Sequence, residues 1–420
     1  MPDTSVIVST FRSRSNRGLR QAPILGRHAM PGRCLNNAIA ITPNTHKEYP
    51  MLALEAPSHP DPYPSYAHLR RRGGLLYLAA PDLWVASDAA TVTEVFEQSA
   101  CHVRPHREPI PSMIADGPAG ELFGRLMRMN EGTAHQAPRR RLMPLLHALD
   151  DEEIARLTRH RLDATSAPAP SYAMFRVPLT IIAALLGCPP EHEAWLAERT
   201  SRFVAGLNPL GHTAQRDAAH QAAADLMETV SGFGTLPLGS NDALAPEVLV
   251  ANLIGLLSQT HDATAGLIGN AMLALRKRPA LRESLTHRPE GVADMIEEVE
   301  RHDPPVHSTK RYVEAPCRLG GTWLEPGETV LVLTASANRD AALAQDADRF
   351  CLNRRERVSF SFGAGRHRCP GRRLALTIAT HVVTCLLERR DYFSTLHHHG
   401  YLPSQHSRIP CLTSTQEERT

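Results

Sequence analysis

Apolar positions recur at helical spacing along most of the chain, and one segment carries the pattern furthest. From Pro246 to Arg278 there is no further proline and no turn signal, and the run is closed by Arg276, Lys277, Arg278 and Pro279. Leu249, Val250, Leu253, Ile254, Leu256 and Leu257 precede its centre; Leu267, Ile268, Met272, Leu273 and Leu275 follow it. Apolar residues on nearly all sides predict a core helix rather than a surface one, about 50 Å long at 1.5 Å per residue. Its middle breaks the pattern with Ser258, Gln259, Thr260, His261, Asp262, Ala263 and Thr264. Buried polar groups must find hydrogen-bond partners or cost stability. This gap is therefore either a satisfied core network or the wall of a catalytic cavity.

The remaining pattern is mostly helical with short strands. Asp61 to Tyr66 opens the regular part, and Leu76–Leu78 and Leu83–Val85 read as short strands. Residues 101–125, rich in His, Pro and Gly, read as a long loop. Residues 151–235 read as helices broken at Pro189-Pro190 and Asn208-Pro209, with an alanine-rich stretch at 214–226. Met295 to Arg301 is helical before Pro304-Pro305, and residues 321–330 read as strand, Pro-Gly turn, strand. Leu374, Ile378, Val382, Leu386 and Leu387 mark a last amphipathic helix. No run of 18 apolar residues free of charge occurs, so no membrane anchor is predicted.

Charge and cysteine usage narrow the class. The balance of 46 basic to 44 acidic residues gives +2, which argues against a nucleic-acid-binding protein. Eight cysteines without a CxxC pair read as reduced thiols of a cytoplasmic protein. Residues 1–49 differ, with seven basic residues against two acidic ones. The composition is that of a transit peptide without an apolar signal region. The expectation is a disordered extension, or a start upstream of a true one at Met30 or Met51, ahead of a single catalytic domain over 50–420.

The chemistry centres on Ser359 to Gly371. Gly363 and Gly365 permit backbone angles closed to other residues and let the chain lie close to something flat. Pro370 suits the first turn of the following helix, which places Cys369 at a helix N-terminus beside Arg366, His367 and Arg368. Helix dipole and positive neighbours favour the thiolate there. A lone cysteine in a Gly-rich loop is more often structural, but this run, with Phe362, Gly363, Gly365, His367, Cys369 and Gly371, resembles the haem loop of the cytochrome P450 family, Phe-Gly-x-Gly-x-His-x-Cys-x-Gly.

The resemblance extends from about residue 61 to 400 with its motifs in the family's order. It implies a mainly α fold with small β-sheets (α+β), with haem b between the long central helix and the Cys369 loop. Cys369 would be the axial ligand of the iron. His135 and Arg139, four residues apart in a His-x-x-x-Arg spacing, would bind haem propionates with Arg311, whose guanidinium suits a carboxylate. Ser359 replaces the propionate-binding histidine of many members. Glu298 and Arg301, which as a surface pair would be worth only about 0.2–0.5 kcal/mol, match the family's scaffolding Glu-x-x-Arg, with Arg349 expected as the third member. Asp262 matches the proton-relaying acid; Ala263 stands where threonine is usual, so Thr260, Thr264 or a substrate hydroxyl would deliver protons. Val306, His307 and Ser308 would face the pocket.

The implied activity is reductive activation of dioxygen to hydroxylate a small organic substrate, with thiolate donation promoting O–O cleavage. The Ala263 departure keeps open phenol coupling, ring closure or a peroxide-driven reaction. A haem carrier or sensor without turnover is a further alternative, against which the polar gap speaks. The length leaves no room for a flavin or nicotinamide domain, so a ferredoxin and its reductase would supply electrons, docking on a basic face formed by Arg366, Arg368, Arg372, Arg373 and Arg139 to Arg141. His397, His398 and His399 read as surface residues rather than a metal site.

Overall fold

The computed structural model describes residues 54–165, 167–233, 244–415 and 417. The basic extension of residues 1–49 lies outside them. The architecture is built around one helix, α9 (Pro246–Lys277). Its flanking residues are buried as the pattern requires, with Leu253, Ile254, Leu257, Leu267, Ile268 and Met272 at 4% exposure or less. Around it pack α6 (Val177–Leu185), α7 (Pro190–Gly206), α8 (Thr213–Ser231), α11 (Val292–His302) and α13 (Arg372–Leu387). α5 (Asp151–Asp163) lies against α13. The interruptions at Pro189-Pro190 and Asn208-Pro209 bound α7, with Pro189 as its N-cap, Pro190 its first residue and Asn208-Pro209 in the connection that follows.

A mixed sheet forms the second layer. β1 (Leu75–Leu78), β2 (Leu83–Ala86), β3 (Cys101–His102), β4 (Thr309–Val313) and β7 (Thr329–Val332) stand in the order β1-β2-β7-β4-β3, with only β2 and β7 parallel. Two small hairpins complete the strands, β5 (Cys317–Leu319) with β6 (Thr322–Leu324), and β8 (Leu396–Tyr401) with β9 (Pro410–Ser414). His397 and His399 share one face of β8, bonded to Thr415 and Thr413, and among the described residues no His/Cys/Asp/Glu cluster suited to a metal ion occurs. Strand alternation decides one important orientation. Arg311, paired in register with Val330, lies on the buried face of β4 with Val313. No helix among the described residues is long and apolar enough to cross a membrane.

The segment 101–125 is more structured than its composition predicts. It contains a 3-10 turn at Ser112–Ile114 and a helix, α3 (Pro118–Arg125), which packs on α8 and α9. Few apolar residues carry that helix, but Leu122 and Phe123 are buried, so tertiary packing supplies what periodicity lacks. After α3 a 3-10 turn, Met127–Met129, is stapled to α9, because Asn252 accepts from Met127 N (2.7 Å) and donates to Arg125 O (2.9 Å).

Candidate active site between the central helix and the Cys369 loop

The cysteine loop owes its shape to two left-handed glycines. Gly363 has φ +67° and Gly365 φ +62°, and a Cβ on Gly365 would lie 2.7 Å from the carbonyl oxygen of Phe96. Cys369 N donates to Phe362 O at 2.8 Å, which closes a hairpin-like turn. α13 starts at Arg372 with Gly371 as its N-cap, so Pro370 precedes the helix instead of opening it. The N–H of Gly371 reaches the Cys369 sulfur and favours the thiolate, as do the charges of Arg139 and Arg128, but burial outweighs them and pushes the thiol up. The arginines that favour the thiolate are therefore not the flanking ones. Arg366 is instead spent on structure: it pairs with Glu131 (2.9 Å) and donates to the carbonyls of Gln98 and Cys101 (3.0 and 2.6 Å).

The loop is anchored beneath by a buried ion pair. Arg301 forks onto Glu298 through Nε and Nη2 (2.9 and 2.8 Å) and donates to the carbonyls of Asn338 (3.0 Å), Ala347 (2.7 Å) and Arg349 (3.1 Å). Asn338 then accepts from Phe360 N (2.7 Å) and donates to Ser361 (2.8 Å), which passes the anchorage to the cysteine loop. The expectation for Arg349 is corrected here. It offers only its backbone carbonyl, while the guanidinium next to Glu298 is that of Arg354, at 3.6 Å. The chain from 346 to 354 turns back on itself, with Arg349 N bonded to Asp346 O, and brings the later arginine inward. Glu298 is also buried, which removes it from the class of surface pairs.

Above the loop lies a cluster of cations. α4 (Gly132–Ala148) runs through Pro138 without a shift of its start and carries His135 and Arg139 one turn apart. His135 is buried, its ring 4.2 Å from that of His367, and burial with the nearby His367 lowers it to about 4. Arg311 is buried beside the Phe96 ring, 5.0 Å from its centroid, and burial pulls it to about 10. Phe362 lies under Arg372. The carboxylate facing this group is Glu131, bonded to His367 (3.0 Å) and held down to about 2 against its own burial by His367 and Arg366. Ser359, in place of a histidine, bonds Glu300 (2.5 Å), whose carboxyl burial pushes up. His307 turns away from the expected pocket and is buried against Tyr66 (3.0 Å).

The polar stretch of α9 continues helical without a break. Its side chains are partly satisfied by the helix itself: Ser258 and Gln259 donate to Gly255 O (3.3 and 2.7 Å), and Thr260 to Leu256 O (2.7 Å). Asp262 is 43% exposed and bonded to His261 Nδ1 at 2.7 Å. Thr264 is buried at 2%, and Ala263 is half-buried.

Sequence reasoning missed Arg128. Arg128, on the turn stapled to α9, has accessible surface, yet burial lowers its pKa while Asp262 and Cys369 both hold it up. A side chain that is accessible and still desolvated faces an interior space. It has no hydrogen bond among the described residues. A lone arginine in an aperiodic stretch gives no signal in sequence. The donor set fits haem b: the half-buried Cys369 thiol, a glycine-shaped flat approach, and an excess of Arg and His over the facing carboxylate of Glu131, which suits a dicarboxylate.

The family model described as Cytochrome P450 matches residues 291–405, the part that holds Glu298, Arg301, Arg311 and Cys369. The chain is 29% identical over 350 residues to Vitamin D(3) 25-hydroxylase of Pseudonocardia autotrophica, covering 75% of this chain and 83% of that one. It is 32% identical over 252 residues to Mycinamicin IV hydroxylase/epoxidase of Micromonospora griseorubida, covering 56% and 63%. In fold it resembles the crystal structure of CalO2, with a TM-score of 0.76 and 24% identity over 87% of this chain and 98% of that one. Epothilone B-bound Cytochrome P450epoK follows at 0.73 and 23%, over 85% and 98%. With relatives of 29% and 32% identity that align with 75% and 56% of it, the chain is similar to the cytochrome P450 family of haem b-dependent monooxygenases.

Proposed function

We propose that Cys369 would hold the iron of haem b as a thiolate and that the polar stretch of α9 would supply the groups that serve dioxygen activation. The observation that carries this reading is the Cys369 loop itself, shaped by left-handed Gly363 and Gly365, closed by Cys369 N on Phe362 O at 2.8 Å and set beside buried His135, whose ring lies 4.2 Å from that of His367. His135, Arg139, Arg311 and His367 would hold the two haem carboxylates, and Phe362 and Gly363 would shape the loop that receives the ring. Haem with a thiolate ligand supplies reductive dioxygen activation. The chain's own residues supply orientation, exclusion of water and protons. Asp262 presents a carboxylate to the space, and Thr264 and Thr260 are the neighbouring hydroxyls. Thr260 donates to Leu256 O, so it serves as an acceptor first.

The substrate is a small organic molecule of specialised metabolism, oxidised by hydroxylation. The relatives' names include a hydroxylase acting on vitamin D(3) and a hydroxylase/epoxidase acting on mycinamicin IV, which points to bulky, largely apolar polycyclic or macrocyclic compounds. Ala263 favours one second reading, oxidation without oxygen insertion, such as phenol coupling or ring closure. The test is a screen of steroids and macrolides for changes in the haem spectrum, followed by turnover of the best binder under labelled dioxygen. One labelled oxygen in the product is expected; an oxidised product without label selects the second reading, and no spectral response to any member overturns the substrate class.

Electrons come from a separate ferredoxin and its reductase, in the cytoplasm, to a single catalytic domain over 50–420. Arg140 and Arg368 are exposed, and Arg373 is exposed although paired with Asp151. These three make a narrower basic face than composition predicts, since Arg366 and Arg372 pair with Glu131 and Glu300. Reduction by the ferredoxin slows as salt rises; a salt-insensitive rate refutes this docking.

A further inference from the structure

The function above leaves one chain of side chains unused. His261 bonds Asp262 Oδ1 through Nδ1 (2.7 Å) and Ser201 Oγ through Nε2 (3.1 Å). Ser201 lies on α7, and its hydroxyl donates to Ala197 O one turn earlier (3.0 Å). The imidazole is 14% exposed and its ring lies 5.0 Å from Phe175, which fixes its plane. A carboxylate only accepts, so Nδ1 carries a hydrogen toward Asp262. A serine whose hydrogen goes to Ala197 accepts at Oγ, so Nε2 carries one too. Every group in the chain is then satisfied when His261 is an imidazolium.

We propose that His261, clasped by Ser201, is a positioning residue that orients Asp262 and loads it with a proton, in place of the hydroxyl that Ala263 lacks. The step moves one proton and no heavy atom. The Nδ1–H bond breaks and an Oδ1–H bond forms, turning imidazolium and carboxylate into neutral imidazole and carboxylic acid. Nε2–H stays on Ser201, and Ser201 stays on Ala197. Asp262 releases its proton into the space and returns to carboxylate, and water reloads the imidazole at the exposed acid. The charged groups that face Asp262 are His261 from its own helix and Arg128 from the turn below. Arg128 favours the carboxylate, so a donor beside the acid is what loading it requires.

The inference rests on Asp262 being the acid of the proposed reaction, and the test separates the two. The holoenzyme is supplied with NADPH, a plant ferredoxin and its reductase, with dioxygen as the only oxidant. Two electrons and two protons give hydrogen peroxide; four of each give water. Poor proton supply therefore raises the peroxide formed per NADPH consumed. His261→Gln and Asp262→Asn are expected to slow water formation about tenfold or more and drive the yield toward one peroxide per NADPH. Ala263→Thr in the His261→Gln background is expected to draw it back. Carbon monoxide spectra and haem content stay unchanged, and in the diamagnetic carbon monoxide form the imidazole nitrogen resonances of wild type report hydrogens on both Nδ1 and Nε2, changed by Ser201→Ala at Nε2 alone. If Asp262→Asn shifts the yield and His261→Gln does not, the clasp is refuted and the acid stands. If Asp262→Asn itself shifts nothing, the acid falls and the clasp with it. Should His261→Gln fail to hold haem, Ser201→Ala decides: a rise in peroxide supports the clasp, an unchanged yield overturns it.

Discussion

Replacing Glu298 by Gln tests the anchorage of the cysteine loop with nearly no change of shape. The carboxylate accepts two bonds from Arg301 and one from Cys351 N (2.8 Å), and Arg354 and Arg357 approach to 3.6 and 3.9 Å. The Glu298 side chain is 0% exposed and that of Arg301 3%. An amide there cannot neutralise three guanidinium groups, and its own N–H would point at one of them. Removing one partner of a buried pair leaves an uncompensated charge and costs about 3–5 kcal/mol, a large share of the roughly 5–15 kcal/mol that holds a folded domain. The exposed pair Glu153–Arg156, with 2.7 Å contacts, is the control; Glu153→Gln should leave stability unchanged because water screens it. Urea unfolding of the holoprotein, followed by far-UV circular dichroism and tryptophan fluorescence with coincident midpoints, measures both. A loss below about 1 kcal/mol for Glu298→Gln would refute the claim that this pair is buried and uncompensated on breaking.

Other consequences follow from single residues. Gly365→Ala places a Cβ against the Phe96 carbonyl at a positive φ, so the variant should fold yet fail to retain haem, as measured by haem content. His302 and His406 are held neutral, mainly by burial, at about 3 and about 4. Both lie below the unfolded value of about 6.5, so their contribution is full above that pH and is lost as pH falls toward the folded values, by up to about 1.4 kcal/mol per pH unit for each. Urea midpoints should thus drop between pH 7 and pH 5, and the slope should lessen in His406→Gln. Arg311→Ala removes a buried cation from the carboxylate-binding group and should speed transfer of haem to an apo-globin trap; Arg311→Lys should recover part of the retention.

Much of the fold was legible because its strongest signals are local. The buried flanks of α9, the breaks around α7 and the glycine-shaped cysteine loop all follow from residue type and spacing. α3 was not legible, since its burial comes from α8 and α9 and not from its own periodicity. The third arginine of the scaffold was misread for a similar reason: Arg349 and Arg354 differ only in how a turn folds back, which spacing does not encode. Arg128 and Glu131 gave no signal, as isolated charges look like surface until a tertiary neighbour desolvates them. The basic face shrank on the same principle, because arginines that look free in sequence pair with glutamates 235 and 72 positions away. Where the sequence departs from the family pattern, the partners are seen only in the structure: Ser359 bonds Glu300, and Asp262, next to Ala263, bonds His261.

The reading as a whole depends on a sulfur–iron bond at the loop before α13. The carbon monoxide spectrum of the dithionite-reduced protein, taken for wild type and for Cys369→Ser, tests it most directly. The account predicts the long-wavelength Soret band of a thiolate-ligated haem in wild type and its loss in the variant. A wild-type protein that stays colourless after haem supplementation, or a variant with an unaltered band, would contradict it.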